Sequence, residues 1–311
     1  MPPPRVSRVT TTQGYAEFDG SQTWYQVHGD LPADPSGPAP LVVLHGGPGA
    51  THDYLTPLAG LARDGRAVVL YDQLGNGRST HHRDRGAEYW TVDLFVRELA
   101  NLVDHLGIGG RYHVLGQSWG GFLAQEHALT RPPGLQSLVL SNTAASFPDF
   151  VSEANKLRAD LPPGVDDTLR KHEEAGTTDD PEYAAACVVF YQRHLCRLDP
   201  WPTGVSEGLA KLDEDPTVYH TMNGPSEFHV IGSIKDWSST ARLGEIRVPA
   251  YVISGEFDEA TPALQVPLVD GIQAAGNEVA QTVMPGCSHL PMWEQRDAYN
   301  DLVADWLARH D

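Results

Sequence analysis

Apolar and polar positions alternate over residues 15–18 and again over 23–27, with Asp19-Gly20-Ser21 between them, which predicts a β-hairpin opening the fold. A proline-rich connector follows. Short apolar runs at 41–44 and 67–71 are of the kind expected of parallel strands buried on both faces, and further strands are predicted at 112–115, 135–140, 250–254 and 280–284. Helical segments are predicted between them. One spans 52–62. Another spans 92–106, where Leu94, Phe95, Leu99, Leu102, Val103 and Leu106 share a face. A third spans 122–129 and a last one 297–309. This alternation predicts an α/β fold with a mostly parallel central sheet flanked by helices.

The rhythm breaks between about residues 145 and 243. That region has no comparable series of strands, carries a helical piece at 181–194, and is marked by proline and acidic clusters at 161–167 and 177–181. It reads as an inserted, mainly helical cap (145–243) between two parts of the core (1–144 and 244–311).

Composition narrows the partners. Asp and Glu outnumber Lys and Arg 41 to 22, a formal charge of −19, which argues against nucleic acid or an anionic membrane and favours a cationic ligand. Cys187, Cys196 and Cys287 form neither a paired framework nor a metal-type spacing, which points to a reducing cytoplasm. Residues 1–14 lack a signal-length apolar stretch, and no later run is long enough to span a bilayer.

The candidate chemistry centres on Gly116-Gln117-Ser118-Trp119-Gly120-Gly121, between an apolar run and a helix-forming one. Glycines at positions 116 and 120 suit a sharp strand-to-helix turn that holds a serine hydroxyl outward. Serine needs a base to take its proton and a third group to orient that base. The strand at 250–254 runs into Glu256 and Asp258, and the strand at 280–284 runs into His289. Loop aspartates ordinarily cap helices and lone histidines are ordinarily structural, but the order Ser118, Asp258, His289 with strand-end placement is that of a hydrolase on an open parallel sheet. Glu256 is the nearest rival to Asp258. An oxyanion hole needs two backbone N–H groups. Trp119 is one candidate, and the loop His45-Gly46-Gly47-Pro48-Gly49 supplies the other, Gly47 first and Gly46 second.

Gly75-Asn76-Gly77 fails as a dinucleotide fingerprint because position 80 is Thr80, and Asp72 to Ser79 is expected to shape the turn near the site. His81-His82 lacks a spaced partner and reads as a solvated loop.

Together, HGGPG at 45–49, DQLGNGRS at 72–79, GQSWGG at 116–121, GEFDE at 255–259 and GCSHLPMWE at 286–294 resemble the α/β-hydrolase fold proline iminopeptidases. MNGPSEFHVIGSIKDW at 222–237 resembles the cap segment of the branch that includes the tricorn-interacting aminopeptidase and amino-acid amidases. The resemblance runs from about Tyr15 to the C-terminus. It implies that Glu227 and Glu259 hold the substrate's free α-amine, a role that suits buried carboxylates facing an ammonium.

The expected reaction is acyl transfer to water through Ser118, His289 and Asp258, on a short peptide or aminoacyl amide with a free α-amine. No metal or organic cofactor is implied. An amidase, esterase or lactonase acting on a small specialised metabolite is the alternative, because a triad does not choose its leaving group. A non-catalytic ligand receptor is disfavoured by the complete triad. A dehalogenase or epoxide hydrolase is disfavoured because Ser118 stands where those enzymes use aspartate.

Overall fold

The computed structural model describes residues 9–31 and 36–311. Residues 1–8 of the opening segment and 32–35 of the proline-rich connector therefore lie outside the described residues.

Eight strands form one sheet: β1 (Thr11–Phe18), β2 (Ser21–His28), β3 (Leu41–Leu44), β4 (Val68–Tyr71), β5 (Tyr112–Gln117), β6 (Leu135–Ser141), β7 (Ala250–Gly255) and β8 (Val279–Met284). Their order is β1-β2-β4-β3-β5-β6-β7-β8. The hairpin β1–β2 and the β2–β4 pair are antiparallel, and every pairing from β4 to β8 is parallel.

Strands β3 to β7 are buried on both faces, whereas β8, at the sheet edge, is mostly half-buried or exposed. In β3, Val42 and Leu44 enter one core with α1 (Val92–His105) and α2 (Trp119–Leu129), while Leu41 and Val43 enter a second core on the opposite face. Tyr299, Val303 and Trp306 of the C-terminal helix close that second core. At about 25 cal/mol per Å² of apolar surface removed from water, such two-sided burial outweighs local propensity. Helix α1 follows its sequence pattern: Leu94, Phe95, Leu99 and Leu102 are buried, and the Thr91 hydroxyl caps its start by accepting from the Leu94 N–H at 3.2 Å.

The helix expected over 52–62 is instead a 3₁₀ stretch, His52–Leu61, with Pro57 inside it. Proline removes an N–H from the helical ladder, which accounts for the departure from α geometry.

Between β6 and β7 the chain forms α3 (Phe147–Ala159), α4 (Val165–Ala175), α5 (Pro181–His194), α6 (Thr203–Glu214) and α7 (Thr217–Met222). This inserted segment has a small core of its own, built on Leu169, Tyr183, Phe190 and Phe228. Buried Arg158 binds Asp166 at 2.7 Å and Glu173 at 3.0 Å, tying α3 to α4. The core resumes through α8 (Gln265–Gln273), α9 (Pro291–Glu294) and α10 (Arg296–Arg309). Among the described residues no helix is long and apolar enough to cross a membrane, and Cys187, Cys196 and Cys287 are buried and unpaired.

Candidate active site

Ser118 sits in the turn between β5 and α2 with φ 56° and ψ −125°. A non-glycine residue with positive φ is strained and persists only where its surroundings hold it. Here the Ser118 N–H donates to Ser141 O at 3.0 Å, and its carbonyl accepts from the Gly121 N–H and the Thr143 hydroxyl, each at 2.8 Å. The flanking glycines are required by space. A Cβ on Gly116 would meet Gly120 O at 2.1 Å, and one on Gly120 would meet Leu44 O at 2.2 Å.

Asp258 and His289 come from the loops after β7 and β8, and both are buried. His289 Nδ1 lies 2.6 Å from Asp258 Oδ1, which also accepts the Ala260 N–H at 2.9 Å. The carbonyl of His194, at the end of α5, accepts the N–H groups of both Glu259 (3.2 Å) and His289 (3.1 Å). The inserted segment is therefore bonded to both loops. Glu256, the rival carboxylate, is exposed and accepts the Gly286 N–H at 2.9 Å, away from the imidazole.

Of the two oxyanion-donor candidates in the 45–49 loop, Gly46 already has an acceptor for its N–H. Its N–H donates to the Tyr54 hydroxyl at 2.6 Å, and that hydroxyl donates to Gln117 Oε1 at 2.5 Å. Among the described residues the N–H groups of Gly47 and Trp119 have no such acceptor. Gln73 ties their two segments together, accepting from Trp119 Nε1 at 3.0 Å and donating to the His45 carbonyl at 2.9 Å. The 72–79 segment, expected to shape the turn near the site, is thereby bonded to both the 45–49 loop and the start of α2. Buried Asp72 anchors it by accepting His52 N and Nδ1, both at 2.8 Å.

Ser118, His289, Glu227 and Glu259 line one cavity of about 620 Å³ whose far walls are Tyr183, Tyr191 and Tyr219 of the inserted segment. Glu227 accepts from the Tyr219 hydroxyl at 2.7 Å. Both carboxylate oxygens of Glu259 are buried without a hydrogen-bond donor, and Oε1 stands 3.5 Å from His289 Nε2. Burial pushes the Glu259 carboxyl well above its ordinary range, opposed by His289 and reinforced by Glu227 and Asp258. Burial lowers the His289 imidazole, but Asp258, Glu259 and Glu227 outweigh it and raise the group to about 9. Among the described residues no hydrogen bond joins Ser118 Oγ to Nε2.

Three contributors escaped the sequence reading. Asn142, just past β6, donates to Asp258 Oδ2 at 2.6 Å and to Ser288 O at 3.2 Å. Tyr54 and Gln117 brace the 45–49 loop, and Gln117 also donates to His289 O at 3.1 Å. Gln117 was visible only as the residue before the serine. His81 and His82 are not simply solvated: His81 pairs with Asp215, and His82 is 2.8 Å from the Ser21 hydroxyl. Among the described residues, the group close enough to share a cation is His172, Asp180 and Glu182, where Lys171 already binds Glu182 at 2.6 Å.

The alpha/beta hydrolase fold family matches residues 39–295. The chain is 36% identical over 297 residues to the proline iminopeptidase of Thermoplasma volcanium, covering 96% of this chain and 97% of that one. Among solved structures, that of the proline iminopeptidase of Mycobacterium smegmatis superposes with a TM-score of 0.87 at 45% identity, covering 96% and 98% of the two chains. The crystal structure of VinJ superposes with a TM-score of 0.92 at 47% identity, covering 96% and 99%. With identity at this level over nearly the whole length, the chain belongs to the proline iminopeptidase family of α/β-hydrolases.

Proposed function

We propose that this chain is a serine hydrolase that releases an N-terminal amino acid, proline or another apolar residue, from short peptides or aminoacyl amides with a free α-amine. The observation that carries this reading is Glu259: a buried carboxylate without a donor, in the same cavity as Ser118, His289 and Glu227. An unpaired buried charge is costly, and a substrate ammonium supplies the missing partner.

In this mechanism His289 Nε2 takes the Ser118 proton while the hydroxyl oxygen attacks the carbonyl carbon. The Gly47 and Trp119 N–H groups meet the oxyanion. Asp258 orients the imidazole and stabilises its charged form, and His289 then gives the proton to the leaving amine. Water repeats the sequence on the acyl-enzyme and frees the amino acid. Residues 145–243 act as the cap and close the amine end of the cavity, over a core made of 1–144 and 244–311. The three unpaired cysteines support a cytoplasmic setting.

The test compares kcat/KM for a free aminoacyl anilide, its N-acetyl form and a simple acyl ester, in the wild type and in Glu227→Gln and Glu259→Gln. Free-amine turnover should fall in both variants relative to turnover of the ester, and the acetylated substrate should fail throughout. Equal losses on all three substrates would remove the amine site. A second reading, an amidase or esterase acting on a small specialised metabolite, draws on the cavity itself. Its volume lies within the roughly 300–1,000 Å³ that encloses drug-sized ligands, and Val188, Leu195, Trp201, Val205 and Leu209 give it apolar walls. Efficient cleavage of the acetylated substrate by the wild type would favour that reading.

A further inference from the structure

His289 has two carboxylate neighbours, one at each ring nitrogen. Asp258 Oδ1 is 2.6 Å from Nδ1, as an orienting group must be. Glu259 Oε1 is 3.5 Å from Nε2, the nitrogen that has to receive the serine proton. Glu259 has no hydrogen-bond donor of its own, since both its oxygens are buried and unpartnered. Nε2 therefore faces a carboxylate, and among the described residues no hydrogen bond joins it to Ser118 Oγ.

We propose that the substrate ammonium, by taking Glu259 as its partner, releases His289 Nε2 from Glu259 to Ser118, so that an amine substrate assembles its own general base. This rests on the amine-binding reading above and adds a consequence for the chemistry.

The charges around the imidazole support it from every side. Asp258 and Glu259 face it from the loop after β7, and Glu227 faces it from the inserted segment. Tyr219 adds a hydroxyl that is already donated to Glu227, and Tyr54 one already donated to Gln117. His194 contributes its carbonyl, and its own ring is bonded to Phe257 O at 2.9 Å. Among the described residues that line the cavity there is no lysine or arginine. Three carboxylates without a cation favour a protonated imidazole, raised to about 9, and an imidazolium cannot accept the serine proton. An ammonium between Glu227 and Glu259 offsets that field. The Nε2 proton then leaves to solvent through the cavity, and the freed lone pair accepts the Ser118 hydroxyl. The exchange balances: one cation enters and one proton departs. A neutral substrate brings no such compensation, so discrimination acts on proton transfer as well as on binding.

The experiment uses Ser118→Ala protein with ¹⁵N-labelled histidine, the His289 signals being assigned against a Ser118→Ala/His289→Asn double variant. At pH 7.5 the free protein should show a charged His289 ring, and saturation with prolinamide should convert it to the neutral form. Binding of prolinamide with the ring still charged would overturn the switch alone. Failure to bind prolinamide, leucinamide and phenylalaninamide alike would overturn the amine site, and the switch with it. Kinetics give a second reading. On a neutral acyl ester, Glu259→Gln should move the acid limb of the kcat/KM profile down by a pH unit or more and raise turnover at pH 7 several-fold. A purely structural glutamate would lower stability and leave the limb in place, which would also overturn the proposal.

Discussion

The side-chain N–H of Asn142 donates to Asp258 Oδ2 at 2.6 Å, across 116 residues of sequence, while Asp258 Oδ1 holds His289 Nδ1. The amide cannot usefully turn over. Its Oδ1 accepts the Ser141 hydroxyl at 2.6 Å, and that hydroxyl accepts from Tyr299 at 2.8 Å, so a buried run of hydrogen bonds leads from α10 to the Asp258 carboxylate that holds the imidazole. Asn142→Ala should lower kcat about ten- to hundredfold, the equivalent of about 1–3 kcal/mol for one lost bond to a buried charge. KM should change little. Steady-state kinetics decide it, and a change confined to KM would assign Asn142 to binding.

Ser118→Ala should keep the fold and lose turnover, because no acyl-enzyme can form. A fluorophosphonate probe followed by intact-mass measurement should label the wild type at Ser118 and leave the variant untouched. Asp258→Asn should bind substrate yet lose about 10⁴ in kcat through the wrong imidazole tautomer. Near-normal turnover there would require another carboxylate, and Glu256 is bonded elsewhere.

Tyr54→Phe should weaken the site without touching the triad. It leaves the Gly46 N–H and Gln117 Oε1 without their partner, each at a cost of about 1–3 kcal/mol when buried. The expected result is a Tm lower by several degrees and a reduced kcat, since the loop carrying Gly47 is no longer braced. An unchanged Tm in calorimetry would show that water replaces the hydroxyl.

Glu98 ties stability to pH. It is buried under the 72–79 turn, and its Oε1 accepts from the Thr23 hydroxyl at 2.6 Å and the Leu74 N–H at 2.9 Å. Its Oε2 has no partner. Burial lifts the carboxyl from 4.5 to about 8, opposed by those two bonds and assisted by Asp72. A raised folded value means that the contribution is full below about 4.5, falls as pH climbs, and is lost above about 8. Glu98→Gln cannot ionise, so its stability relative to wild type should rise steadily between pH 5 and pH 8. Urea unfolding at three pH values tests this, and parallel curves would contradict it.

The centre of the sheet was legible because β3 to β7 are short, largely apolar segments buried on both faces, a signal that needs no partner to be recognised. The elbow was legible for a similar reason. Gly116 and Gly120 are demanded by contacts with backbone only a few residues away or on the neighbouring β3, and such constraints leave a local spacing. Asn142 left no such trace. Its partner Asp258 lies on another strand's loop, and an asparagine after a strand ordinarily reads as a turn residue. Tyr54 was hidden in what looked like an ordinary helix, where Pro57 instead produces a 3₁₀ stretch.

By itself the sequence determined the strand pattern, the sharp turn at Ser118, and the chain order of serine, aspartate and histidine, because hydrophobic periodicity and steric demand are written in neighbouring residues. Only the tertiary structure decided which groups share the cavity: that Gly46 spends its N–H on Tyr54, that Asn142 braces Asp258, and that Glu259 faces His289 Nε2 with no donor of its own. Hydrogen bonding and buried charge act over a few ångströms in space, and folding alone brings residues far apart in the chain within that reach.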